Sequence, residues 1–262
     1  MLPENAFLRR LPAAIRGPDR LRLEALVFAA DVLTLAFSSI RELTTRCGRA
    51  GVSAQARTAL FAHVWSAVDQ LHVIRSLLRT GEVEKMGPNT RAFYERSESA
   101  SLMRNRMDHV AGNIPNLGAQ KGIRVPLFGV LSYFLVEEHQ MTRTDVAGSV
   151  NAGTIISVTS GSVPQGKALV ALPNPPSRPI YPPVCQFLFS AFEWTLDLED
   201  LVKALQELLN DYSERVEADL RQKCQAESDR TGVPLDQLMA PLPIGDFVLE
   251  LDISFEGGKE SS

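Results

Sequence analysis

Between Leu21 and Thr44 the apolar residues Leu23, Leu26, Ala30, Leu33, Phe37 and Ile40 recur at intervals of three and four. That is the period of a helix burying one stripe, and no strand satisfies it. Gly48 and Gly51 stop the pattern. It restarts after Ser53, a residue suited to capping a helix N-terminus, with Leu60, Val64, Leu71, Ile74 and Leu78 along one side until Gly81. A third helix is predicted from about Thr90 to Val110, stopping near Gly112 and Pro115. Three long amphipathic helices in succession must bury their stripes against one another or against a sheet, so the chain opens as a helical bundle.

The texture changes at Ile123. Val125–Val136 and Thr154–Thr159 are rich in β-branched and aromatic residues and are punctuated by Gly148, Gly153, Gly161 and Gly166, which predicts a small antiparallel sheet. Six prolines within Leu172–Pro183 exclude regular structure there and predict an extended loop. A strand over Val184–Thr195 follows. Asp197 then caps a fourth long helix to about Ala226, with Asp200 on the favourable side of its dipole. Phe247–Phe255 alternates as a strand does, and EGGKESS reads as a disordered tail. The expected class is therefore α+β, predominantly α. A helical bundle occupies 1–122, a sheet and Pro-rich loop are inserted over 123–195, the fourth helix returns over 196–230, and a strand and tail close 231–262.

With 45% hydrophobic and 22% charged residues the chain can bury a sizeable core. Cys47, Cys185 and Cys224 are too few and too scattered for a disulfide framework or a metal knuckle, which fits a reducing cytoplasm. No secretory signal is read at the N-terminus, and the apolar run Ala25–Phe37, interrupted by Asp31, is shorter than the roughly 20 residues of a span. A soluble cytoplasmic protein is expected. The net charge of −4 argues against a dedicated nucleic-acid coat, but it is segregated: residues 1–124 carry +7 and residues 193–262 carry −11. Either the two parts attract each other, or the helical part offers a basic surface to a polyanion.

Chemistry concentrates in Arg104-Asn105-Arg106-Met107-Asp108-His109. On a helix turning about 100° per residue, Met103, Met107, Val110 and Ile114 form the core stripe, while Asn105 and His109 share the opposite side with Leu102, Ser101, Glu98 and Tyr94. Arg104 and Asp108 are spaced for an i,i+4 ion pair. A surface histidine beside an ordinary ion pair is the plain alternative to a site.

The run Leu102–His109 resembles the R-x4-6-H signature of the HEPN superfamily, including its form with Asn directly after Arg. The resemblance implies a four-helix bundle that dimerises across the motif helices, uniting two signatures into one metal-independent ribonuclease site, in some members within toxin or defence systems. Arg104 and His109 would then act at a symmetric interface, with Asn105 orienting one of them, and no metal or cofactor would be needed. Histidine suits proton transfer near neutrality and arginine suits phosphate oxygens. One His109 per chain serves poorly as both acid and base, so a site shared by two chains suits the reaction better. Many members of the superfamily are non-catalytic binding modules, so an RNA- or protein-binding role is the alternative. The position two residues beyond the histidine, a modified tyrosine in some relatives, is Ala111 here.

Other candidates are weaker. His63 and His72 flank Asp69 but lie about 180° apart on their helix, so they cannot share a metal and are read as structural, with an approach of either to His109 from a neighbouring helix as the alternative. His139 beside Glu137 and Glu138 lacks H-x-x-E spacing, and Ser149, Ser160 and Ser162 belong to no GxSxG, GxxxxGK or GxGxxG motif. Phe187, Phe189, Phe192 and Trp194 are read as sheet core on one strand.

Overall fold

The computed structural model describes residues 2–48, 50–79, 87–112, 114, 126–136, 153–161, 171–174 and 184–242. The predictions for His139, Ser149, Ser162, the strand over 247–255 and the tail lie outside them, as does most of the Pro-rich loop.

The two predicted N-terminal helices are present as α1 (Gly17–Cys47) and α2 (Ala54–Arg79). They form a helical hairpin whose seam holds Leu26, Leu33, Ile40, Leu60, Val64 and Leu71, all buried. By length and composition α1 could cross a membrane, and half of its most apolar window is buried in the protein's own core. Leu21, Phe28 and Leu35, seven residues apart, face outward on the other side at 67%, 70% and 67% exposure.

The third predicted helix is two helices, α3 (Pro88–Arg96) and α4 (Glu98–Asp108), which corrects the continuous Thr90–Val110 helix. The break is at Ser97, fully buried at φ −84°, ψ 3°, whose N–H bonds back to Phe93 and Glu95 carbonyls. An unbroken helix would align Phe93, Ser97, Ala100 and Arg104 on one ridge. On either side of the break Phe93, Ala100 and Met103 are buried, and Arg104 is half-buried at the edge of that stripe.

The strands are β1 (Val130–Val136), β2 (Gly153–Thr159), β3 (Val184–Ala191) and β4 (Trp194–Asp197), in the antiparallel order β2-β1-β3-β4. The predicted strand from Val125 begins only at Val130, because a turn closed by Gly129 N–H to the Pro126 carbonyl precedes it. The predicted strand Val184–Thr195 folds back on itself at Phe192 and Glu193, with Ala191 opposite Trp194. One sheet face packs on the helical hairpin, where Phe187 meets Phe37 edge-on at 5.4 Å and Trp65 meets Phe189 at 5.5 Å. Helix and sheet side chains share one apolar cluster, so the sheet is part of the same core.

Asp197 caps α5 (Leu198–Thr231), accepting a hydrogen bond from the Asp200 N–H at 2.9 Å. The cap was predicted; the helix runs five residues beyond Ala226 and ends at left-handed Gly232. Its first turn also fastens the sheet. Glu199 accepts from the Gln186 N–H at 2.6 Å, where β3 bulges, and pairs with Arg41 of α1 at 3.1 Å.

Candidate functional site

Two contacts set how α4 lies on α2. His72 Nδ1 is 3.1 Å from Ser101 Oγ, and Arg104 Nε is 2.6 Å from Asp69 Oδ1. Three residues forward on α4 correspond to three residues backward on α2, so the helices run antiparallel. Met103 and Ala100 enter the core beneath these contacts. The predicted apolar stripe is only partly buried: Met107 and Val110 are half-buried, and Ile114 is 54% exposed. Beyond Met103 the helix climbs out of the core.

Arg104 is held between two carboxylates, Asp69 across the helix interface and Asp108 one turn along α4. The i,i+4 pair expected from spacing is therefore formed, and Asp69 is a partner that spacing alone did not reveal. Burial pushes the Asp69 carboxyl above the usual aspartate range, against the pull of Arg104 and His72 in the other direction. Asn105 and His109 are both exposed, His109 as the C-terminal cap residue of α4. Ser101, Asn105 and His109 occupy one i,i+4 ridge, with His72 touching its first member.

Arg104 and His109 are about 140° apart around α4, so within one chain the arginine faces α2 while the histidine faces outward. A single copy does not bring them together. Tyr94, expected on the outward face, is half-buried beneath Arg75, whose guanidinium lies 3.6 Å from the ring centroid. His72, which the sequence suggests is structural, contacts Ser101 of the motif helix. The signal was its i,i+3 relation to Asp69, which puts both on one face of α2. Among the described residues no three His, Cys, Asp or Glu side chains gather as a metal site requires. The arrangement offers a fixed guanidinium, a partly desolvated carboxylate, and an accessible amide and imidazole within two turns. Comparison with protein-family models, curated proteins and solved structures finds no match for the chain.

Proposed function

We propose that this chain is a HEPN-like, metal-independent endoribonuclease of the cytoplasm whose site is completed when two copies pair through α4. The observation that carries the reading is the exposure of Asn105 and His109 on one ridge of α4, next to a positioned Arg104. In the reaction His109 of one copy accepts the proton of a ribose 2′-hydroxyl, and the 2′-oxygen forms its bond to phosphorus. The bond from phosphorus to the 5′-oxygen breaks, and protonated His109 of the second copy supplies that oxygen's proton, leaving a 2′,3′-cyclic phosphate. Arg104 supports the phosphate charge and Asn105 orients the imidazole.

A second reading is favoured by one specific observation: the Arg104 guanidinium already faces two carboxylates, which offsets the charge a phosphorane needs. On that reading the α4 face is a non-catalytic surface for RNA or protein. Incubation with RNA in the presence of a chelator separates the two. The enzyme reading expects cleavage to cyclic phosphate ends, reduced ~100-fold or more by His109→Ala with the circular dichroism spectrum unchanged. Cleavage indifferent to His109, or RNA binding without cleavage, refutes it.

A further inference from the structure

The face of α2 that carries His72 and Asp69 continues toward the helix N-terminus as Trp65, Ala62 and Thr58, at spacings of three and four. There it walls a surface cleft of about 340 Å3, completed by Arg57, Phe61, Phe128 and Ser160. The register set by the Ser101–His72 and Arg104–Asp69 contacts, continued along α4, carries His109 alongside the Trp65 turn. The cleft therefore lies level with the C-terminal end of α4, where Asn105 and His109 are exposed, although no α4 side chain lines it.

Three features of the cleft point to one ligand chemistry. Its walls are aromatic: Phe61 is buried, Trp65 is fixed by its Nε1–H to the Phe128 carbonyl at 3.1 Å, and Phe128 is 46% exposed. Among the described residues its lining holds one guanidinium, Arg57, and no carboxylate, which complements a polyanion. Ser160 Oγ borders it, buried and without a hydrogen-bond partner among the described residues. An aromatic slot with a spare hydroxyl and a cation at its edge matches an unstacked nucleobase with its phosphate. A duplex keeps its bases stacked and could not enter.

We propose that this cleft binds a nucleobase of single-stranded RNA whose backbone passes over Asn105 and His109. The proposal rests on the ribonuclease reading for its substrate class, but it is tested by binding rather than by cleavage. The chain has two tryptophans, so Trp194→Phe leaves Trp65 as the fluorescent reporter. The probe is a 2′-O-methyl hexanucleotide, which lacks the nucleophile and cannot be cut.

The expected result is quenching of Trp65 emission on titration, with Kd raised about tenfold by Phe128→Ala. Ala62→Leu is a second variant: Ala62 is exposed, so the leucine fills the cleft without removing a packed side chain. It too should raise Kd about tenfold, and it decides the matter if Phe128→Ala does not fold. Cleavage of unmodified RNA is followed in parallel. His109-dependent cleavage with unchanged Trp65 emission and unaltered Kd in the variants overturns the cleft alone. Neither binding nor cleavage overturns both the cleft and the nuclease. Quenching lost in the variants supports the cleft whether or not the RNA is cut.

Discussion

Asp69→Asn removes one of the two carboxylates that hold Arg104, and the structure gives both sides of the balance. The ion pair is close, at 2.6 Å, but its side chains are 31% and 45% exposed, where such a pair contributes roughly 0.2–1 kcal/mol. Against it stands desolvation, the largest influence on Asp69, which raises its pKa despite Arg104 and His72. A carboxyl whose pKa is raised on folding binds its proton more tightly in the folded state. Charged Asp69 thus costs stability at neutral pH, and the cost fades as pH falls through the raised folded pKa, vanishing below the ordinary value of 3.8. The variant should lie within about 0.5 kcal/mol of the parent at pH 7, or above it, a change of ~1–2 °C in Tm. Urea denaturation across pH 3 to 7 measures this, and any advantage of the variant should shrink toward acid. Freed from one carboxylate, Arg104 should also become available to phosphate, raising RNA affinity and steepening its salt dependence by about one unit. A loss above ~2 kcal/mol that is constant with pH would refute the primacy of desolvation. An unchanged salt slope would show that Arg104 does not reach the backbone.

Two further outcomes follow from the sheet. Gly129 sits at φ +91°, and a Cβ there would lie 2.6 Å from the Phe189 ring and 2.7 Å from the Ser190 carbonyl. Gly129→Ala should therefore cost ~2–4 kcal/mol in urea denaturation, and a loss under ~1 kcal/mol would contradict the packing. The Tyr133 hydroxyl is buried without a partner among the described residues, and burial pushes its pKa up to about 12. Tyr133→Phe should be neutral or stabilising by up to ~1 kcal/mol. Because the folded state holds that proton, the parent should lose stability relative to the variant as pH rises from about 10 toward 12, followed by absorbance at 295 nm alongside unfolding.

What the sequence reveals is what neighbours in sequence decide. The stripes of α1 and α2, the Asp197 cap and the Arg104–Asp108 spacing are all local, and each is legible. Ser97 is different. No glycine or proline marks it, and Phe93, Ala100 and Met103 would share one buried stripe of a continuous helix as well, so the apolar pattern carries no sign of the break. The turn at Phe192 is hidden for a similar reason. A phenylalanine at φ +54° carries no turn signal and is held by packing against Trp65 and Trp194. At the candidate site the exposure of Asn105 and His109 follows from the helical period. The capture of Arg104 by Asp69 depends on the α2–α4 register, which neither helix encodes alone.

The strand order β2-β1-β3-β4 bears on how the molecule forms. The α1–α2 hairpin joins segments adjacent in the chain, whereas β1 must find β3 across some fifty to sixty positions, as in the pairing of Val130 with Ser190. Loop-closure entropy favours the short-range pairing first, so kinetic reasoning makes the helical hairpin the early scaffold and the sheet the slow step. The surfaces around α4 straddle that divide, since α4 packs on α2 on one side and on β4 on the other. They complete last on folding, and a mutation that loosens the sheet should speed unfolding around α4 while the hairpin persists.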